Sequence, residues 1–362
     1  MNLEPTDEQD ALAATLRHFL AERASISGHV RPMLDDPTGT TPTVWRGLAE
    51  LGAIGVLVPA EFGGAGMTMV EAGIVAEELG AALHPGPWLS TAVAATRVLG
   101  RASGQQAADL LAGIAAGTTV VAVPGLGEQM QEPLVSARNG DICVCSPPLA
   151  APDAAAADVL LVWDGAGLFA VESAAAGVSL TAEPAIDQSR KHFRVEFDNA
   201  SAQRLGTLQP EDVQAVIDDV LIAMAADALG AATAVMGMAI EYAKTRNQFG
   251  APIGSFQAIQ HLCVDMFETV ELARSGVIHA LWAAENFTAE RHLAAVRAKA
   301  YAGRLATVGD TAIQIFGGIG YTWEHDAHLY LKRLLGWSAF HGGSDRYLTE
   351  VGALLVKKSH DN

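Results

Sequence analysis

A long apolar run is the feature that most restricts how this chain can fold. From Val220 to Ile240 the only charged residue is Asp227, and the run is long enough to cross a bilayer. It is rich in alanine and glycine, follows the acidic residues Glu211 and Asp212, and continues into the charged segment 241–246. An apolar helix flanked in this way is typical of the interior of a soluble helical bundle. We therefore predict a buried helix here, and no membrane partner.

The secondary-structure pattern changes twice along the 362 residues. Residues 1–117 show helical spacing, beginning with a capping box at Thr6–Gln9. Residues 118–207 contain short apolar runs between turn residues, with a hairpin signal at Asn139-Gly140. In residues 191–198 apolar and polar side chains alternate, which is the pattern of a half-buried strand.

Helical spacing returns from Pro210, and the third long helix is predicted to run from Ala289 to Phe316. The sequence therefore predicts an α+β fold that is mainly α. Its parts are an N-terminal α-helical domain (1–117), a middle β domain with a small sheet or barrel (118–207), and a C-terminal four-helix bundle (208–362).

The charge of the chain excludes several classes of partner. Asp and Glu number 41 against 23 Lys and Arg, which gives a net charge of −18. Such a surface repels nucleic acid and anionic lipid, so we expect no nucleic-acid partner. The cysteines, Cys143, Cys145 and Cys263, have no spacing for a metal site or a disulfide, and residues 1–5 do not resemble a signal peptide. We expect no metal and a cytoplasmic location.

Three groups of motifs, in the same order, resemble the acyl-CoA dehydrogenase family. The first comprises Trp45–Gly52, Val58–Gly64 and Glu77–Gly80, the second is Thr245–Gln257 and the third is Gln314–Thr322. Ordered matches of this kind are much more specific than a lone glycine pair. The resemblance covers nearly the whole chain. It implies that family's three-domain, FAD-binding fold, an acyl-CoA substrate, and an electron-transfer flavoprotein as electron acceptor.

The resemblance also implies which residues contact the cofactor. In the family, the second and third motifs contact the ADP half of an FAD that is held mainly by the neighbouring subunit. Arg246 would meet the pyrophosphate, because a guanidinium forks onto phosphate oxygens. The other residues implied are Gln248, Phe249, Gln257, Gln314, Gly317 and Gly318. From the residues alone, Arg246 is equally a cation at a helix C-terminus, and the glycine pair is equally a helix C-cap.

The family's flavin-ring site is not retained. The family's Thr-Glu-Pro-Gly-Ala-Gly-Ser-Asp loop corresponds here to residues 122–129, where Ala122 replaces the Thr and Glu128 replaces the Ser. A carboxylate at Glu128 would oppose an anionic cofactor. The aromatic and Thr residues that the family places against the ring correspond to Ala150 and Pro152.

The catalytic base is also replaced. The family's reaction removes a proton alpha to the thioester, and a desolvated carboxylate accepts it. Counting from Gly317 places the usual base at His341, and the alternative position on the first bundle helix falls on Val220. Neutral imidazole can accept a proton near pH 7, so His341 is a candidate base. It is equally a polar residue that caps the last helix.

One half of the family's site is thus kept and the other half altered. This indicates the base-lacking subunit of a two-gene acyl-CoA dehydrogenase, an α2β2 heterotetramer with a paralogous partner. The arrangement resembles actinobacterial enzymes that act on steroid side-chain CoA thioesters. Two alternatives stay open: a self-sufficient homo-oligomer that uses His341 as base, and a non-catalytic scaffold or acyl-CoA-binding protein.

Overall fold

The computed structural model describes residues 4–127, 134–138 and 141–360. The N-terminal part is helical, as predicted. Its helices are α1 (Asp7–Arg23), α2 (Arg31–Met33), α3 (Pro42–Glu50), α4 (Met69–Ala81), α5 (Thr96–Leu99) and α6 (Gln105–Ala115), with π-helical segments Ile26–Val30 and Leu89–Ala95 and a 3-10 turn Ala60–Phe62. The predicted capping box is present at α1: the Thr6 hydroxyl accepts from the Gln9 amide, and the Gln9 side chain accepts from the Thr6 amide.

A seven-stranded sheet follows. Its strands are β1 (Val121–Ala122), β2 (Leu134–Arg138), β3 (Asp141–Ala150), β4 (Val159–Trp163), β5 (Gly167–Glu172), β6 (Val178–Ala182) and β7 (Phe193–Thr207), and a 3-10 turn, Ala154–Ala156, lies between β3 and β4. The order is β1-β4-β5-β7-β3-β2, with β6 also paired to β7. β1 and β4 are parallel, and the other pairs are antiparallel.

Two strand predictions are confirmed. Arg138 pairs with Asp141 across the β2–β3 hairpin, whose turn residues Asn139 and Gly140 lie outside the described residues. In β7 the side chains of Phe193, Val195 and Phe197 are buried in the core of the sheet, while the residues between them are not.

The C-terminal region is helical, but the prediction of one continuous third helix is wrong. The elements are α7 (Pro210–Thr245), β8 (Asn247–Gln248), β9 (Ala251–Pro252), α8 (Gln257–Asn286), α9 (Thr288–Ala302), α10 (Leu305–Phe316), α11 (Ala327–Ala339) and α12 (Ser344–His360), with 3-10 turns Ile253–Ser255 and Gly317–Tyr321. The predicted helix 289–316 is interrupted at Gly303, where a Cβ would collide with the Ser344 side chain at the start of α12. The described part of the predicted four-helix bundle therefore contains six helices, α7 to α12.

The apolar run lies within α7, and its predicted burial is confirmed. α7 has the length and composition of a membrane-spanning helix, but most of its apolar window is buried inside the protein. The single charged residue of the run 220–240, Asp227, is also buried. Both oxygens of this carboxylate accept hydrogen bonds at 2.9 Å from the guanidinium of Arg333 on α11, and Trp337 Nε1 donates to Oδ1 at 2.5 Å.

The chain divides into two compact units that interleave in sequence. One comprises Met1–Ile26, Gly73–His84 and Leu221–Asn362, and the other comprises Ser27–Ala72 and Pro85–Val220. The predicted domains (1–117, 118–207 and 208–362) follow changes of secondary structure instead, and that division stays a prediction.

Glycines allow close helix packing in the first unit. A Cβ at Gly80 would collide with the Asp227 carbonyl oxygen, and a Cβ at Gly230 would collide with the Glu77 carbonyl oxygen. The backbones of α4 and α7 therefore touch at their crossing. Arg274 of α8 secures the crossing, since its guanidinium donates to the Glu77 carboxylate at 2.8 Å.

Candidate functional site

The hairpin after α7 fixes the backbone of Arg246 and leaves its side chain exposed. The Arg246 amide donates to the Tyr242 carbonyl at 2.8 Å, and the Arg246 carbonyl accepts from the Ile253 amide at 2.8 Å. β8 and β9 pair through Asn247 with Pro252 and through Gln248 with Ala251. The guanidinium thus stands on a rigid base, which suits the binding of an anion.

Phe249 is at the tip of this hairpin and is almost fully exposed. Its relative exposure is 94%, and its ring meets the Phe256 ring edge-on with centroids 6.2 Å apart. Its φ of 53° lies in the left-handed region, which costs about 1–2 kcal/mol for a non-glycine residue. Gln248 and Gln257, on either side of the 3-10 turn, are exposed as well.

The second predicted segment surrounds the end of α10. Gln314 is exposed, and Gly317 caps the helix with a φ of 65°. A Cβ added at Gly317 or Gly318 would meet no atom of the described chain within 4 Å. The C-cap explains the glycine at 317 through its backbone conformation, but packing within the chain does not require a glycine at 318.

An aromatic contact joins the two segments. The ring of Tyr242, in the last turn of α7, lies 5.0 Å from the ring of Phe316, the last residue of α10. The Tyr242 carbonyl holds the Arg246 amide, and Phe316 directly precedes Gly317. An exposed cation, amide side chains and open backbone therefore belong to one region of the first unit. These features fit the ADP half of FAD, although the individual roles stay predictions.

His341 lies between α11 and α12 in a strained conformation. Its φ is 56°, and its carbonyl accepts from the Tyr347 hydroxyl and from Arg346 Nη1, both at 2.9 Å. Burial, together with the charges of Lys299 and Arg346, lowers the pKa of the imidazole to about 4. His341 is therefore neutral at pH 7, but its protonated form would lie among cations. That environment makes it a poor acceptor for a substrate proton.

The alternative base position offers no acceptor either. Val220 is buried on α7, and the carboxylate next to it, Asp219, is 3.1 Å from the Arg97 guanidinium in an ion pair. Neither residue therefore presents an unengaged carboxylate at this position.

The positions that the resemblance assigns to the flavin ring lie in the second unit. Ala122 is buried in β1, and the turn that follows it is tied to the end of β3, because the Gly125 amide donates to the Ala150 carbonyl at 2.8 Å. Ala150 and Pro152 offer a methyl group and a pyrrolidine ring, not an aromatic wall or a hydroxyl donor. Glu128 lies outside the described residues. The described residues here do not match the family's ring site.

Sequence reasoning missed a buried ion pair beside these positions. Asp153 has a φ of 61°, and its Oδ2 accepts from the Ser90 hydroxyl at 2.5 Å and from Arg190 Nη2 at 3.1 Å. Arg190 also donates to the Gly86 carbonyl at 3.1 Å. The partners are far apart in sequence, so no motif indicated them. Their role is to fix the loop after β3. Among the described residues no group of His, Cys, Asp and Glu could hold a metal ion.

Comparison with known proteins agrees with the motifs. Residues 6–118 match the model of the acyl-CoA dehydrogenase N-terminal domain, and residues 214–354 match that of the acyl-CoA dehydrogenase C-terminal domain. Acyl-CoA dehydrogenase IpdE2 of Mycolicibacterium smegmatis is 33% identical over 333 residues, which are 91% of this chain and 93% of that protein. The chain belongs to the acyl-CoA dehydrogenase family. It is thus a member of a family of oxidoreductases whose cofactor is FAD.

Two further relatives are informative. Acyl-CoA dehydrogenase FadE34 of Mycobacterium tuberculosis is 34% identical to this chain over 360 residues. That match covers 96% of this chain but only 48% of FadE34. The solved structure of the Tcur3481-Tcur3483 steroid ACAD G363A variant superposes with a TM-score of 0.87 at 27% identity. That match covers 98% of this chain and 99% of the other. The predicted acyl-CoA dehydrogenase fold is therefore confirmed.

Proposed function

We propose that this chain is the base-lacking subunit of an α2β2 acyl-CoA dehydrogenase. It supplies the ADP-binding half of an FAD site to a paralogous partner subunit. The partner supplies the flavin-ring site, the acyl-CoA cleft and the glutamate base. The pair oxidises the bond between the α and β carbons of an acyl-CoA thioester.

The contrast between the two halves of the site carries this proposal. The half around Arg246 keeps an exposed cation on a fixed backbone. In the other half, position 341 has an imidazole beside two cations instead of a carboxylate. A homo-oligomer needs both halves in each chain, whereas a hetero-oligomer needs each half once.

The chain's own residues would bind and orient the cofactor and take no part in proton transfer. When bound, FAD accepts the hydride from the β carbon of the substrate, and the α proton goes to the partner's carboxylate. Arg246 would hold the pyrophosphate with two charge-assisted hydrogen bonds. Phe249 would cover apolar cofactor surface, and Gly318 would let the backbone approach the dinucleotide.

The relatives support pairing with a second chain. The steroid enzyme variant is designated by two products, Tcur3481 and Tcur3483. FadE34 is about twice as long as the match, which leaves room in that protein for a second chain of this kind. By analogy we propose a steroid side-chain CoA thioester as substrate, an electron-transfer flavoprotein as acceptor, and a cytoplasmic location.

The deciding experiment measures flavin per chain. The protein is purified alone and after co-expression with a dehydrogenase-like neighbour, and the flavin absorbance of each sample is recorded. We expect no flavin in the isolated chain and about one FAD per pair of unlike chains. Full flavin in the isolated chain would favour the homo-oligomer. No flavin and no dehydrogenation with any partner would favour the non-catalytic scaffold.

A further inference from the structure

A buried lysine lies beside the position at which the family carries its base. Lys299, on α9, is only 2% exposed. Its ammonium donates to the Trp337 carbonyl at 2.5 Å and to the Ser338 carbonyl at 3.3 Å. These carbonyls end α11, three and four residues before His341. The positive charge of Lys299 thus lies at the C-terminal end of α11, just before position 341.

Tyr347 places the same charge next to residue 341. The Lys299 ammonium is 5.7 Å from the centre of the Tyr347 ring, and the Tyr347 hydroxyl donates to the His341 carbonyl at 2.9 Å. Tyr347 is itself buried, so its ring is a fixed spacer between the two residues. Lys299, Tyr347 and His341 therefore form one cluster.

We infer that Lys299 is a positioning residue that blocks base catalysis at position 341 independently of which residue stands there. The inference rests on the proposed function, because it explains how the second centre of the pair is kept inactive. A carboxylate at 341 would lie in the field of this ammonium, which stabilises the ionised form and weakens proton binding, so restoring the glutamate alone would not restore the base.

Two cations lower the pKa of His341, and Lys299 has the larger effect. The groups that lower the pKa of His341, besides burial, are Lys299 on α9 and Arg346 on α12. Arg346 is exposed, so solvent and salt screen its charge, whereas Lys299 is shielded from both. Burial lowers the pKa of Lys299 itself to about 8, so it remains mostly charged at pH 7.

A purely structural role for Lys299 makes a different prediction. A cation at the C-terminus of α11 stabilises that helix. If this were its whole function, replacing Lys299 would change the stability of the fold but would leave the titration of residue 341 as it is. The titration therefore separates the two roles.

The first test is a titration of His341 in the full chain by NMR with ring-labelled histidine. His341→Gln identifies the signal by its loss. We expect the pKa of His341 to rise above about 4 in Lys299→Met, although burial, the larger cause, still keeps it below its ordinary value, and to stay low in the conservative variant Lys299→Arg. An unchanged pKa in a folded Lys299→Met protein would overturn the inference. If that variant does not fold, Lys299→Gln is titrated in its place.

The second test places the family's carboxylate at position 341. In His341→Glu, burial raises the carboxyl pKa and the Lys299 charge lowers it, so the pKa should be higher in His341→Glu/Lys299→Met than in His341→Glu. Equal values in both proteins would contradict the inference. Neither titration depends on flavin, so flavin in the isolated chain would refute the proposed function and leave this result readable.

Discussion

Arg246 shows at the scale of one residue how a cofactor contact can be tested. Its backbone is fixed by Tyr242 and Ile253, so a side-chain substitution should leave the hairpin in place. If Arg246 holds the pyrophosphate as proposed, Arg246→Ala removes two charge-assisted hydrogen bonds, worth about 2 kcal/mol or more, which is roughly a 30-fold loss of FAD affinity in the complex. Arg246→Lys keeps the charge but not the forked pair of donors, so its FAD affinity should lie between those of the wild-type chain and Arg246→Ala. Flavin retained per heterodimer after dialysis is the measurement, and unchanged retention in Arg246→Ala would refute this placement.

Replacement of Asp227 should strongly destabilise the chain. Leu at 227 would leave the fully buried Arg333 guanidinium without its counter-charge, which typically costs about 3–5 kcal/mol. Replacing both partners, in Asp227→Leu/Arg333→Met, should recover much of that loss. Urea unfolding followed by circular dichroism measures the free energy of unfolding.

The control for Asp227 is an exposed ion pair on the same helix. Glu241 and Lys244 form a 2.6 Å ion pair at the surface, and Glu241→Ala should change the stability much less. Equal losses of unfolding free energy in Asp227→Leu and Glu241→Ala would show that the buried pair contributes no more to stability than the exposed pair.

At the scale of elements, two glycines of α7 provide a matched comparison. Gly230 touches the Glu77 carbonyl at the crossing with α4, whereas Gly237 faces open space within the described chain. Gly230→Ala should therefore destabilise the protein by about 1–3 kcal/mol through overpacking. Gly237→Ala should stabilise it by up to about 1 kcal/mol, because alanine is the better helix former. Thermal unfolding measures both, and the same sign for both would contradict the proposed crossing.

In the hairpin β8–β9, Phe249 has an unfavourable backbone conformation and is also a proposed cofactor contact. Phe249 and Gly250 both have positive φ, a turn for which Asn-Gly is the favoured sequence. Phe249→Asn should raise the melting temperature of the isolated chain slightly, since Asn tolerates this conformation better. The same change should weaken flavin retention in the complex. A variant that retained full flavin would show that the exposed ring serves neither the cofactor nor its partner.

What the sequence predicts well at this scale is local. The capping box, the alternation in β7 and the apolar α7 depend on neighbouring residues, and all three are as predicted. Periodicity did not reveal the interruption of the helix at Gly303, and the contact that requires a glycine there comes from Ser344, some forty residues later. The Asp153–Arg190 pair was missed for the same reason.

Considered as a whole, the molecule keeps its family's fold, while the position that the resemblance assigns to the base carries an imidazole. Motifs predict the cofactor residues because glycines and a guanidinium at fixed spacing are visible in a sequence, and these roles stay predictions. The electrostatics around His341 were not visible, because Lys299 lies on another helix and reaches the site only through tertiary packing. The resemblance therefore predicts which residue stands at the base position, and the structure shows what surrounds that residue.

The split site makes a prediction about the thermal stability of the whole assembly. A ligand that binds only the folded complex stabilises it, by about 2.7 kcal/mol when the free ligand is at 100 times its Kd. If this chain carries only the ADP half of the site, as we propose, added FAD should raise the melting temperature of the flavin-depleted heteromer by several degrees and leave that of the isolated chain unchanged. Differential scanning fluorimetry in a dye-free format measures both. An equal rise for the isolated chain would mean that it binds the whole cofactor by itself.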